Sequence, residues 1–443
     1  MLDLINFRRR SAKQALSTSS GEPSVIKVRM EIARIRRLAL QVDRCGFGAS
    51  QPLESSTASA QENGTGDLDA LVARRRTDGR SFLKGLLAHL IFLPCWTLPP
   101  LLLFGGVLTA VAPLGSVLGA QVALACGLGM CTSLTVSPRN VPLRTALCAL
   151  LALMAGLAKT RRGLLRSAAA TSVVAWLTWT VTVESKFSKL PKLMNFIFDW
   201  AKDFYAMAEL RGNLQDMHQG RSFFAFHPHG VLSIGWTING MFNKDFMRHA
   251  GKVTWLVAPQ LRNQDPIFRC LCDGYESDDR AIEGGDTQGF KKFMAEGGSV
   301  AFIPGGFRDL ATHRFGKDCT VVQNRKGFVK YCLQFGYRLH PVYTFGESET
   351  YHTFAGLRKL RMWIAGHNVP MVLFFGFPLL PILPRPQSRL LTYVGPGIDL
   401  PHLPNPCQED VDLWHGVYLQ ALSQLFTDKR AEAGFPEAEL EIL

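Results

Sequence analysis

The sequence predicts an α/β domain, a sheet covered by helices, anchored to a membrane by an N-terminal transmembrane helical hairpin. Three observations carry that expectation. No Asp, Glu, Lys or Arg occurs between Gly85 and Pro138. A bilayer span needs roughly 20 apolar residues, so this run holds two. From about Leu190 onward, short apolar runs alternate with stretches of helical periodicity. And only 19% of the 443 residues are charged while 47% are apolar, against about 25% charged in ordinary soluble domains. That composition excludes a disordered chain, a collagen-like chain and a small disulfide scaffold.

Residues 1–80 read as a basic tail. Gly48–Asp69 is rich in Ser, Ala, Gln, Thr and Gly and buries little. Within the tail, Val28, Ile32, Ile35 and Ala39 recur at helical spacing among Arg29, Arg34, Arg36 and Arg37. Val25–Val42 is therefore either a basic amphipathic helix for an anionic membrane surface or a disordered arm. Arg8, Arg9 and Arg10 with several serines leave a transit peptide open beside an ordinary cytosolic tail.

The apolar run breaks at Ala112-Pro113-Leu114-Gly115. Arg74, Arg75, Arg76, Arg80 and Lys84 precede it, and Arg139 and Arg144 follow. Basic flanks lie on the cytosolic side. A hairpin over 85–138 satisfies both flanks, and a single span does not. Residues 139–189 hold two weaker apolar stretches, Thr145–Ala158 and Ser167–Val183, around Lys159, Arg161, Arg162 and Arg166. A second hairpin would place that cluster in the lumen, so shallow or re-entrant helices are favoured over a four-span arrangement. Either way the chain returns to the cytosolic side for the domain at 190–443.

In that domain Ser222–Phe226, Val253–Ala258, Ser299–Ile303 and Arg338–Phe345 read as strands. Phe290–Glu296, Lys326–Phe335 and Asp410–Phe426 read as helices. On the last, Val411, Trp414, Tyr418, Leu422 and Leu425 share a face suited to core packing. Val369–Pro384 is apolar but carries Pro370, Pro378, Pro381 and Pro384. It reads as a loop that dips into the membrane interface or lines an acyl groove, with a buried core segment as the alternative. The ten cysteines have no zinc-ligand spacing and read as reduced thiols.

Four blocks carry chemistry. In Phe226-His227-Pro228-His229-Gly230 an apolar strand runs into two histidines, the usual general base near neutral pH. Catalysis, metal binding and a plain structural turn all fit those residues alone. In Pro304-Gly305-Gly306-Phe307-Arg308-Asp309 a strand ends in a glycine turn whose N–H groups suit an oxyanion or a phosphate. In Gln323-Asn324-Arg325-Lys326-Gly327 cations open a helix against its dipole, which fits either a bound anionic ligand or a solvated basic edge. In Phe345-Gly346-Glu347 a carboxylate follows a strand and a glycine.

Together, in this order and after a membrane hairpin, these blocks resemble the type-2 diacylglycerol acyltransferase family, which includes monoacylglycerol acyltransferases and wax-ester synthases. Val394-Gly395-Pro396, the Asp410–His415 stretch and Gly434-Phe435-Pro436 match it too, so the likeness covers about residues 200–443. Two positions depart from the family pattern. Asp309 stands where a Glu is common, and Gln323 where an Arg is often seen. The rival His-x-x-x-x-Asp acyltransferase motif fails, because Leu232 and Ile234 stand five residues after His227 and His229.

The resemblance implies a glycerolipid-acyltransferase-like fold and acyl transfer from acyl-CoA to diacylglycerol, with no metal or other cofactor. It makes His229 the first candidate base and His227 its partner, with Asp309 or Glu347 orienting the imidazole. Gly230, Gly305 and Gly306 would face substrate, and Asn324, Arg325 and Lys326 the CoA phosphates. The expected partners are acyl-CoA, diacylglycerol and membrane lipids. A homo-oligomer stays open, and the net charge of +13 calls for no nucleic acid. The expected location is the endoplasmic reticulum membrane, with lipid droplet or plastid envelope as alternatives. Monoacylglycerol or a long-chain alcohol as acceptor, or an inactive membrane-anchored lipid binder, are the competing readings.

Overall fold

The computed structural model describes residues 79–93, 190–264, 266–367 and 372–443, all within one compact unit, Ser59–Leu443. Nearly all of the tail, the Val25–Val42 stretch, the hairpin beyond residue 93 and residues 139–189 lie outside the described residues.

Residues 79–93 are helical. Ala88, Phe92 and Leu93 join Phe198, Ala201 and Phe204 in the domain core. His89 and the Tyr205 hydroxyl share a 2.8 Å hydrogen bond. The helix presses so close that a side chain at Gly85 would meet the Phe204 backbone at 2.3 Å. The start of the uncharged run thus docks on the α/β domain, while Leu83, Leu87, Leu90 and Ile91 point outward. Among the described residues no helix is long and apolar enough to cross a membrane.

Helix α1 (Pro191–Ala201) leads to β1 (Met207–Gly212) and β2 (Ser222–His227). A buried π-helical turn, Trp236–Met241, and α2 (Lys244–Ala250) precede β3 (Val253–Val257). The Asn243 side chain caps α2 by accepting from the N–H groups of Asp245 and Phe246. Helices α3 (Pro259–Gln264) and α4 (Pro266–Tyr275) bring the chain to β4 (Arg280–Gly284). Helix α5 (Thr287–Ala295) then precedes β5 (Ser299–Phe302). Helix α6 (Gly306–Thr312), β6 (Asp318–Thr320) and α7 (Gly327–Phe335) follow, then β7 (Arg338–Phe345). An excursion carries β8 (His352–Thr353), α8 (Arg358–Gly366) and β9 (Phe374–Phe375). The chain closes with β10 (Arg389–Val394), β11 (Ile398–Asp399), α9 (Gln408–Lys429) and β12 (Leu440–Ile442).

The main sheet has eight strands in the order β1-β10-β7-β2-β5-β3-β4, with β11 also on β7. Strands β7, β2, β5, β3 and β4 run parallel, and β10 is antiparallel to β7. This is the mixed α/β core that the alternating pattern predicts. The four expected strands form within one residue at each end, and the three expected helices are present. Strands β1 and β4 escape a reading of apolar runs. They are the sheet's edges, and charged residues such as Glu209, Arg211 and Glu283 interrupt them. Phe224, Phe226, Phe246 and Trp255 pack ring on ring between β2, β3 and α2. Each such side chain contributes roughly 1.5–3 kcal/mol when fully buried. Among the described residues, Cys319 and Cys332 are free thiols.

Candidate active site

Because β7, β2 and β5 are parallel neighbours, their carboxyl ends share one edge of the sheet. The His227–Gly230, Pro304–Gly306 and Gly346–Glu347 turns follow those ends directly. That edge is the usual ligand-binding edge of open α/β sheets.

His227 is fully buried at the end of β2. Its Nδ1 lies 2.8 Å from the Thr320 hydroxyl and its Nε2 lies 2.5 Å from the Tyr418 hydroxyl. The Thr320 hydroxyl donates to Asp309 Oδ2 at 3.2 Å. It therefore accepts from Nδ1–H, and Nε2 accepts from Tyr418. Both ring nitrogens are occupied, and burial pushes the ring's pKa down to about 3.

His229 differs. It is half-buried, and its Nδ1 lies 3.1 Å from the Gly230 carbonyl, with the Ser233 hydroxyl at 3.3 Å. A carbonyl only accepts, so the proton sits on Nδ1 and the lone pair on Nε2. Burial lowers its pKa, against the opposing pull of the Gly230 bond.

The two carboxylates hold backbone rather than imidazole. Asp309 accepts the His229 N–H at 3.1 Å and the Val321 N–H at 2.5 Å, besides the Thr320 hydroxyl. Glu347 accepts the N–H groups of Ile234 and Gly235 at 3.0 and 2.7 Å, just beyond the histidine turn. Burial lifts Asp309 to about 6 and Glu347 to about 7, although these N–H bonds pull the other way. The expected orienting role thus becomes indirect. The carboxylates fix the loop on which His229 rides.

The motif glycines make room for these acids. A β-carbon at Gly230, where φ is +62°, would stand 2.4 Å from Glu347 Oε1. One at Gly305 would stand 2.0 Å from Asp309 Oδ1. Space expected for substrate over these two residues is filled by carboxylate. Gly306, with φ +51°, has nothing within 4 Å of its missing side chain and opens onto free space.

In the basic block, Asn324 and Arg325 are exposed. The Arg325 charge favours an ionised Asp309. Lys326 pairs with Asp412 at 2.9 Å, so a phosphate there meets a competing carboxylate. Thr320, Tyr418 and His313 complete the surroundings and were not picked out by sequence pattern. Tyr418 was visible only as a core-face residue of α9. Among the described residues, no group of three or more His, Cys, Asp or Glu is placed to hold a metal ion.

The family model for diacylglycerol acyltransferase matches residues 169–443. The chain belongs to the diacylglycerol acyltransferase family. Among curated relatives, "Diacylglycerol O-acyltransferase 2" of Bos taurus is 26% identical over 288 residues, covering 60% of this chain and 78% of that protein. The Homo sapiens protein of the same name is also 26% identical, over 60% of this chain and 72% of its own length. "2-Acylglycerol O-acyltransferase 1" of Homo sapiens is 26% identical over 58% of this chain and 85% of that protein. As a member of this family the chain is an acyltransferase. The matched region contains the three turns, the basic block and helix α9.

Proposed function

We propose that the protein transfers the acyl group of acyl-CoA to the free hydroxyl of diacylglycerol, giving triacylglycerol and CoA. One observation carries the reading. The His229 ring is held with its proton on Nδ1 and kept neutral by burial, which leaves Nε2 as a base. An alcohol is too weak an acid to ionise alone. Nε2 takes its proton as the oxygen bonds to the thioester carbon. The carbonyl electrons move onto oxygen, and N–H groups of the Gly305–Gly306 turn stabilise that charge. Collapse breaks the C–S bond, and the leaving thiolate recovers the proton from the imidazolium. His227, Asp309 and Glu347 position the turn, while Asn324, Arg325 and Lys326 lie where they can meet CoA phosphates. The step as written uses acyl-CoA as co-substrate and calls on no metal or other cofactor.

Purified protein given oleoyl-CoA and a panel of diacylglycerol, monoacylglycerol and hexadecanol should form triacylglycerol from the first. Acyl-CoA binding without turnover on any acceptor would overturn the reading in favour of a lipid binder.

We also place this chemistry at a membrane surface, on the cytosolic face of the endoplasmic reticulum or on a lipid droplet. Diacylglycerol stays in lipid, and among the described residues the exposed large apolar side chains fall in two groups along the chain. One lies at residues 82–91 and 190–196. The other runs from Phe315 and Phe354 to Leu380, with Trp363 65% and Leu379 81% exposed. The turn at Phe377–Leu380 and strand β9 keep the proline-rich stretch out of a helix. The second group adjoins the His229 turn, because Phe374 and Tyr351 pack with Val231 and Leu310. Tyr205 holds the 79–93 helix through His89, and Tyr351 donates to the Ile382 carbonyl at 2.9 Å. Trp363→Asp with Leu379→Asp should weaken binding to phosphatidylcholine–phosphatidylserine vesicles, read by co-sedimentation, about a hundredfold or more, each buried apolar side chain contributing about 1.5–3 kcal/mol. Unchanged sedimentation would remove this face from the membrane.

A further inference from the structure

A cleft of about 390 Å³ opens beside the first residue of β4, between α1, α2 and the Ser277–Arg280 turn. Strands β3, β4 and β5 are parallel, and their first residues, Val253, Arg280 and Ser299, stand in register. The cleft therefore lies at the amino edge of the sheet, and the histidine and glycine turns lie at the carboxyl edge. The acyl-transfer step makes no use of it.

Four cations line the cleft, Lys192, Lys244, Arg248 and Arg280, against one acid, Asp279. Lys244 and Arg248 are paired from outside it, with Asp199 at 2.6 Å and Asp245 at 3.0 Å. Among the described residues nothing pairs with Lys192. Arg280 is the built part of the site. It is 6% exposed, with its guanidinium 4.6 Å from the centre of the Tyr275 ring. Its Nη1 donates to Asn195 Oδ1 at 2.8 Å and its Nε to the Ser277 hydroxyl at 3.1 Å. That leaves Nη2 without a hydrogen-bond partner among the described residues. A solvated basic edge carries mobile side chains; here a guanidinium is buried and held in one orientation with donors to spare. Such a fork is suited to phosphate oxygens.

Helix α1 joins this cleft to an apolar face. Lys192 and Asn195 line the cleft, three residues apart and so on one side of the helix. Leu193 and Phe196, each one residue further on, are exposed. A cationic stripe and an apolar stripe thus run side by side along α1, within the first of the two apolar groups placed at the membrane above. A ligand that meets both carries a phosphate and a hydrocarbon chain.

We propose that this cleft binds the phosphate monoester headgroup of an anionic lipid, a diacylglycerol phosphate, with its chains against Leu193 and Phe196. A phosphate monoester carries a charge of roughly −1.5 to −2 at pH 7, which suits four cations opposed by one carboxylate. Phosphatidylcholine and phosphatidylserine each bring an ammonium group that those cations repel. The inference rests on the membrane placement above and is independent of the acyl-transfer chemistry.

The test is co-sedimentation of the full-length protein with phosphatidylcholine vesicles that contain dioleoyl phosphatidic acid or phosphatidylserine at matched surface charge. Matching matters, because a net charge of +13 draws the protein to any anionic bilayer. The wild type should bind the phosphatidic acid vesicles about tenfold more tightly. Lys192→Gln with Arg248→Gln, both exposed positions, should erase most of that preference. Equal affinity in the wild type, or equal losses on both vesicles, would reduce the cleft to a patch that reads surface charge and overturn the proposal. A second variant must gain. Asp279→Asn removes the cleft's acid, whose side chain is 56% exposed, and should tighten binding to phosphatidic acid about two- to fivefold. Unchanged or weaker binding there would overturn the proposal. Soluble competitors separate the sources of phosphate. Glycerol 3-phosphate should displace the protein only at about tenfold or more the concentration of short-chain dihexanoyl phosphatidic acid. Displacement at equal concentrations would assign the cleft to a free phosphate ester and overturn the lipid assignment. Binding to both vesicles without preference sinks this inference alone, and binding to neither sinks the membrane placement with it.

Discussion

His229→Ala is expected to lower kcat about 10²–10⁴-fold, the range that a positioned general base supplies, while leaving the melting temperature near that of the wild type. The ring is half-buried, and its hydrogen bonds run to the Gly230 carbonyl and the Ser233 hydroxyl within its own turn. Removing it leaves the Asp309 bond to the His229 N–H in place, because that bond uses backbone. His227→Ala should behave differently. It strips partners from Thr320 and Tyr418 at once, so activity and stability should fall together. The pH profile gives an independent check. A base works in its neutral form, and burial lowers the His229 pKa below its ordinary value of 6.5. The acid limb of kcat/KM should therefore lie below pH 6.5, with activity holding through mildly acid solution. An acid limb at or above 6.5, or full activity in His229→Ala, would take the base role from this residue.

The three turns of the candidate site were legible because each is announced locally. An apolar run of strand length ends in Gly or Pro, and the parallel order of β7, β2 and β5 does the rest. What joins the turns was not legible. Thr320 and Tyr418 lie 93 and 191 residues from His227 in sequence, and no local pattern marks a hydroxyl as the partner of a distant imidazole. The shortened acid at Asp309 left its partner open in the sequence. In the fold its carboxylate is met by two N–H groups and a hydroxyl that come from two other segments. Glycine was the most misleading signal. Gly230 and Gly305 look like openings for a substrate, because a missing side chain reads as empty space. Only the folded chain shows that Glu347 and Asp309 occupy it. The expected membrane hairpin was the plainest reading of the sequence, since absence of charge needs no tertiary information. Of that uncharged run, the described structure holds residues 85–93, docked through His89 and Phe92 onto the domain.

That occupancy yields the second large effect. Gly305→Ala places a methyl group 2.0–2.2 Å from the carboxylate carbon and both oxygens of Asp309. No real contact is that short, so one side must move. Asp309 is 3% exposed and tied to His229, Val321 and Thr320, which makes it a poor candidate for a cheap shift. Overpacking a filled interior costs about 1–3 kcal/mol, and each buried hydrogen bond broken in the adjustment adds about 1–3 kcal/mol. The expected loss is about 3 kcal/mol or more, a fall in melting temperature of about 6–12 °C for a domain of this size. Activity should fall with it, because Asp309 is what fixes the His229 backbone. A double-mutant cycle separates this clash from a general intolerance of alanine in the turn. In an Asp309→Ala background the colliding atoms are gone, and adding Gly305→Ala should then change stability by no more than about 0.5 kcal/mol. Two additive losses would mean that the glycine serves something other than the carboxylate, and the link from the Gly-Gly turn through Asp309 to the candidate base would break at its first step.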